Sequence, residues 1–153
     1  MESKNLFDYL PEEFEGKKGN VKLSEVKEAP LIGVYFSAHW CPPCRGFTPV
    51  LSKFYNVANK AQKKIEIIFV SFDRDEGGFK EYYGSMPWLA LPFKSDKKKS
   101  FAVDFEINGI PALLIFDKNG KLIDYDGRMT VQTAFMKDSG EDIATKILDG
   151  WKK

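Results

Sequence analysis

Leu31-Ile32-Gly33-Val34-Tyr35-Phe36 is apolar or glycine at every position, and it leads almost directly into Trp40-Cys41-Pro42-Pro43-Cys44. A strand with no polar alternation needs cover on both faces, so this run reads as the central strand of a sheet buried between layers. From Pro42 to about residue 62 the apolar period becomes helical. Phe47, Val50, Leu51, Phe54, Val57, Ala58 and Ala61 share one face. Pro42 suits the first helical position, where its missing N–H costs nothing. Pro49 falls inside the pattern and predicts a kink. Residues 65–72 form a second buried run, so strand, helix and strand follow as a βαβ unit with parallel pairing.

The remaining segments fit around that unit. Leu6, Phe7 and Leu10 suggest a short helical start, and Val21, Leu23 and Val26 a short alternating strand. A short helix is expected over residues 77–83. An apolar segment bracketed by prolines follows over 86–93. Ser95 or Asp96 is placed to cap a helix carrying Phe101, Val103 and Phe105. Residues 112–116 read as a strand, Asn119-Gly120 as a hairpin turn, and residues 122–125 as the return strand. Ser139-Gly140-Glu141-Asp142 resembles a capping box for a last helix over about 140–151, with Ile143, Ile147, Leu148 and Trp151 on one face. The expectation is one α/β domain over residues 1–153, with a central mixed β-sheet flanked by helices.

Composition narrows the function classes. With 23 basic against 22 acidic residues the net charge is +1, which argues against a dedicated nucleic-acid or membrane-surface binder. No apolar run approaches the ~20 residues of a membrane span. The N-terminal residues lack the apolar core of a secretory signal. The chain has 2 cysteines and 1 histidine, too few to close a structural zinc site without ligands from a second copy.

The two cysteines, Cys41 and Cys44, therefore carry the chemistry. Cys-x-x-Cys at a strand-to-helix junction is a redox motif with a physical basis. The free N–H groups and partial positive charge of the helix start favour a thiolate at the first cysteine. The second, one turn on, can reach back to attack a mixed disulfide. Cys41 is thus expected to be the exposed nucleophile and Cys44 the buried resolving thiol. Pro42 and Pro43 remove two N–H donors from the neighbourhood of Cys41. The couple should then be reducing, on the order of −270 to −230 mV.

With Pro49 in the helix and Gly109-Ile110-Pro111 before a later strand, this motif is similar to the thioredoxin superfamily. The stretch Phe36-Ser37-Ala38-His39-Trp40-Cys41-Pro42-Pro43-Cys44-Arg45-Gly46-Phe47-Thr48-Pro49 resembles its tryparedoxin and nucleoredoxin branch, as does Met86-Pro87-Trp88-Leu89-Ala90-Leu91-Pro92-Phe93. The resemblance runs roughly over residues 20–128. It implies a thioredoxin-like fold with extra elements around 73–95. It implies a cis Pro111 lying against the cysteines, with the backbone of Ile110 free to pair with an extended substrate. Trp40 would flank the disulfide as an apolar docking surface, and Trp88 would help wall the same site.

Where many thioredoxins carry a buried acid six residues before the first cysteine, this chain has Tyr35. Asp73 is a candidate substitute, with a surface turn as the alternative. His39 stands where small polar residues are common; protonated, it would favour the Cys41 thiolate, and otherwise it is an exposed loop histidine. Arg128 is placed either at the rim where tryparedoxins meet the charged dithiol trypanothione, or on solvated surface. Arg45 and Lys97-Lys98-Lys99 read as solvated helix-start cations.

The implied function is thiol–disulfide oxidoreduction: a protein-disulfide reductase that donates electrons to peroxidases or other disulfide-containing proteins and is itself re-reduced by a dithiol or a reductase. Its redox group would be the Cys41–Cys44 pair itself, with no separate cofactor and no metal. No Thr-x-x-Cys peroxidatic motif is present. The location implied is the cytoplasm, with the nucleus as the alternative. The other classes are a redox-dependent interaction module of nucleoredoxin type, and an oxidant or isomerase in an oxidising compartment.

Overall fold

In a computed structural model describing residues 4–138 and 140–152, a 3₁₀ turn at Leu6–Tyr9 precedes β1 (Glu13–Phe14), β2 (Val21–Lys22) and α1 (Leu23–Val26). Then come β3 (Leu31–Ser37), α2 (Pro42–Ala58), β4 (Ile65–Ser71), α3 (Glu76–Tyr83), β5 (Leu89–Ala90) and α4 (Lys98–Asp104). The chain closes with β6 (Ala112–Asp117), β7 (Leu122–Asp124), α5 (Gly127–Phe135) and α6 (Glu141–Trp151).

β3 is the middle strand of a five-stranded sheet ordered β5-β4-β3-β6-β7. It pairs in parallel with β4, Leu31 opposite Ile65, and antiparallel with β6, Leu31 opposite Asp117. Both β3 and β4 are buried at every residue, as expected of strands covered on two faces. The alternation of side chains divides the core in two. Tyr35, Ile67, Phe69, Leu113 and Ile115 face α2, α3, α5 and α6. Ile32, Val34, Phe36, Ile68, Val70, Leu114 and Phe116 face the N-terminal segment and α4. The sheet is mixed and flanked by helices.

Several local expectations are corrected. The alternation of Val21, Leu23 and Val26 does not continue as a strand: β2 ends at Lys22, and Leu23 and Val26 bury one face of a helical turn at i, i+3 spacing. α2 ends at Ala58, where the Asn59 side chain accepts from Lys64 N–H and Ile65 N–H and turns the chain toward β4. Neither Ser95 nor Asp96 caps α4: its N-cap is Lys97, without a side-chain bond, and Val103 faces solvent. α6 starts after Gly140, again without a side-chain cap; Ser139 lies outside the described residues.

α5 has no counterpart in the sequence reading. Asp126 caps it by accepting from Met129 N–H, and Val131 and Phe135 bury its inner face. Its first residue packs so close to β6 that a Cβ on Gly127 would lie 3.0 Å from the Leu113 carbonyl. The hairpin turn is as expected: Gly120 has φ 84°, and Asp117 accepts from the N–H groups of Asn119 and Lys121.

Candidate active site

The site forms where β3 ends and α2 begins. Cys41 is the N-cap of α2, and its Sγ accepts from Cys44 N–H at 3.3 Å. With Pro42 and Pro43 filling the next two positions, that amide is the one the first turn can offer. Across the cleft, Ile110 C=O lies 3.8 Å from Cys41 Sγ, and the Ile110–Pro111 peptide is cis. Ala38, Cys41 and Cys44 form a small apolar cluster of their own, covered by Phe72 and Ile110.

The two thiols differ in access. Cys41 retains 6% exposure and Cys44 none, so the expected order of access holds, with Cys41 more enclosed than the sequence suggested. Burial pushes the Cys44 thiol up to about 11, and the adjacent Cys41 sulfur adds to this. The Ser37 hydroxyl and the Ala38 N–H act the other way, favouring its thiolate. Both thiols are thus enclosed, and burial favours the protonated form of the deeper one, Cys44.

Trp40 is 48% exposed, its ring available beside the cysteines. Its indole N–H donates to Phe72 C=O at 3.0 Å, and the Arg74 guanidinium stands 5.3 Å from the ring centre. Arg74 gave no signal in the sequence beyond its charge. Ile110 packs against the cysteine cluster. Pro111 and Arg128 line one groove of about 390 Å³ with Gly109, Tyr125 and Met129, which puts Arg128 on the rim beside the cis-proline.

Two expectations are corrected. Trp88 does not wall the site. It is fully buried between the rings of Tyr35 and Tyr55, edge-on to both, because β5 pairs with β4 immediately after it and turns its side chain inward. Asp73 does not stand in for a buried acid under Cys44. Its carboxylate accepts from His39 N–H at 2.8 Å and Ser71 Oγ at 2.7 Å, fastening the end of β4 to the loop that carries the cysteines. His39 itself is half-buried, its ring stacked on Tyr82 at 5.5 Å.

What lies beneath Cys44 instead is a cluster of hydroxyls from Tyr35, Ser37, Thr48 and Tyr82. Tyr35 and Ser37 come from one face of β3, and Thr48 sits one helical turn after Cys44 and donates to its carbonyl at 2.9 Å. The i, i+2 and i, i+4 spacings of these residues were legible. The partner Tyr82, from α3, was not. Among the described residues no group of three or more His, Cys, Asp or Glu side chains could hold a metal ion.

A mixed sheet whose central strand delivers a Cys-Pro-Pro-Cys pair to a helix start, opposite a cis-proline, defines a thioredoxin-like fold with a paired-cysteine site. Comparison with known proteins agrees. The thioredoxin-like family model matches residues 30–122, and the chain belongs to that family. It is 48% identical to nucleoredoxin from Bos taurus over 105 residues, covering 68% of this chain and 24% of that protein. It is 43% identical to tryparedoxin from Trypanosoma brucei brucei over 116 residues, covering 72% of this chain and 80% of that one. The crystal structure of native tryparedoxin I from Crithidia fasciculata superposes with a TM-score of 0.77 at 37% identity, covering 88% of this chain and 92% of that one. The chain thus spans about a quarter of the nucleoredoxin it matches and most of the tryparedoxins. No helix among the described residues is long and apolar enough to cross a membrane.

Proposed function

We propose that the protein reduces disulfides in other proteins, peroxidases among them, through a Cys41/Cys44 dithiol–disulfide cycle. Reduced Cys41 attacks a substrate disulfide, a mixed disulfide forms on Cys41, and Cys44 displaces the substrate as a thiol. A dithiol or a reductase then restores the pair, so the cysteines themselves are the redox group and no other cofactor takes part. The observation that carries this reading is Cys41 at the helix N-cap, its sulfur bonded by Cys44 N–H and facing Ile110 C=O. That carbonyl, with the N–H-free Pro111, offers an edge to extended substrate backbone. Trp40 supplies the apolar contact and Arg128 the charged one. A reducing pair suits the cytoplasm, with the nucleus as the second location.

A second reading, a redox-dependent interaction module, is favoured by the 48% identity to nucleoredoxin. Insulin-disulfide reduction with dithiothreitol separates the two. The oxidoreductase reading expects turnover by the wild type and loss of it in Cys41→Ser. A folded wild type with an intact dithiol and no turnover would overturn it and leave partner binding as the function.

A further inference from the structure

Cys44 must lose a proton before it can attack the mixed disulfide, yet it is fully buried. The hydrogen bonds described around the cysteine sulfurs involve no carboxylate and no imidazole. The polar groups beneath it are hydroxyls in direct contact. Ser37 Oγ and Tyr82 Oη are 2.7 Å apart, Tyr82 Oη and Thr48 Oγ1 2.6 Å, and Thr48 Oγ1 and Tyr35 Oη 2.7 Å. Thr48 spends its hydrogen on Cys44 C=O. Tyr35 and Tyr82 then both donate to Thr48, Ser37 donates to Tyr82, and Ser37 Oγ keeps a lone pair free to accept. Ser37 Oγ also lies 3.2 Å from Tyr35 Oη and Tyr35 Oη 3.4 Å from Cys44 C=O, and whichever hydroxyl Ser37 donates to, its lone pair stays free for the Cys44 proton.

Tyr82 and Thr48 also line a groove of about 540 Å³, together with His39, Arg45, Ser52 and Glu81. Two residues of the network therefore wall a face that solvent reaches, and a third, Ser37, acts on the Cys44 thiol at the other end. Ser52 Oγ, in the wall of the same groove, is buried with no partner among the described residues.

We infer that the Cys44 proton leaves through Ser37 and Tyr82 to this groove, with Ser37 as the hydroxyl that takes it and Tyr82 as the positioning residue acting through Ser37. This rests on the disulfide-exchange reading. Cys44 S–H gives its proton to Ser37 Oγ as Ser37 passes its own to Tyr82 Oη, and Tyr82, turning its O–H from Thr48 toward the groove it lines, gives its own to water there. The electron pair left on Cys44 forms the bond to Cys41 Sγ. The bond between Cys41 and the substrate sulfur breaks, and its electrons leave with the substrate as a thiolate, which takes a proton from solvent. The cysteine pair is oxidised, the substrate is reduced, and protons balance. Ser37, turned back, then donates to Cys44 whenever it is a thiolate. The titratable groups facing the route are Cys41 and Tyr35 on the inside and His39, Arg45 and Glu81 across the groove.

The test is stopped-flow reaction of the reduced protein with dithiobis(nitrobenzoate), at concentrations that make the first release fast. The first nitrothiobenzoate reports attack by Cys41 and the second reports attack by Cys44. Tyr82→Phe and Ser37→Ala should slow the second release about 100-fold at neutral pH, the lower end expected for a lost proton-transfer route, with the first within about twofold. Ser37→Thr, which keeps the hydroxyl, should restore it. The deficit should shrink as pH is raised toward about 11, where Cys44 ionises unaided. A second release within about twofold of wild type in both variants, a deficit equal at every pH, or equal slowing of both releases would overturn the inference. Should Tyr82→Phe not fold, the Ser37→Ala and Ser37→Thr pair reads the same step. Absence of the first release in the wild type would instead sink the disulfide-exchange reading.

Discussion

Asp73 separates two accounts of the site, because a proton shuttle and a structural fastening predict opposite outcomes when it is removed. Asp73 is buried, with 8% exposure, and its two oxygens are taken by His39 N–H at 2.8 Å and Ser71 Oγ at 2.7 Å. Asp73 N–H returns a bond to Ser71 Oγ at 2.9 Å, so the end of β4 is tied twice. Asp73→Ala strips the acceptor from two enclosed donors. Hydrogen bonds to a charged group contribute about 1.5–3 kcal/mol each, so the loss should be about 3–5 kcal/mol once partial rehydration of the loop is allowed for. Asp73→Asn keeps one acceptor oxygen and should lose roughly half as much. Urea unfolding at constant pH, followed by tryptophan fluorescence, gives both values from the midpoint shift at unchanged slope. Insulin reduction per folded molecule should stay within about threefold of wild type, since neither cysteine is bonded to this carboxylate. A stability loss under about 1 kcal/mol with turnover down a hundredfold would refute the reasoning and return Asp73 to the chemistry.

Two further outcomes follow from the placement of side chains. Trp88→Phe removes an indole whose N–H has no partner among the described residues, so the cavity penalty is partly offset; destabilisation should stay near 1–2 kcal/mol by urea unfolding, against about 3–5 for Trp88→Ala, with insulin turnover by Trp88→Phe within about twofold of wild type. A selective rise in KM for Trp88→Phe would contradict its burial. Arg128→Glu should lower kcat/KM about fivefold on an acidic disulfide peptide at low ionic strength, the deficit fading in salt, and leave a neutral peptide unaffected. Equal losses on both peptides would place Arg128 outside the docking rim.

The βαβ frame around the cysteines was legible because β3 and β4 are apolar at nearly every position and α2 carries its core residues at i, i+3 and i+4. Tertiary context decided what the sequence left open. α5 escaped because only Val131 and Phe135 mark its inner face, while Met129 and Thr130 blur the period. Leu23 and Val26 fit both a strand's alternation and a helical turn, and the backbone bond from Lys27 N–H to Leu23 C=O settles the second. Trp88 was misplaced because a motif tells which segment is near a site and not which way a side chain turns; the pairing of Leu89 with Ile68 sets that. Cys41 and Cys44 stood out from the chain's local order, whereas Trp40, Ile110 and Pro111 entered through the resemblance that their motifs carry. The hydroxyls beneath Cys44 needed α3 folded over β3, which brings Tyr82 to Ser37 from 45 positions away.

The division of labour between the cysteines is tested most directly by intact-mass analysis of trapped intermediates. Reduced Cys44→Ser, mixed with a disulfide-containing protein substrate, should accumulate an adduct mapped to Cys41, while Cys41→Ser accumulates none and the wild type passes through to its internal disulfide. An adduct on Cys44 in Cys41→Ser, forming as fast as the Cys41 adduct forms in Cys44→Ser, would contradict the assignment of the partly open thiol as nucleophile and the buried one as resolver.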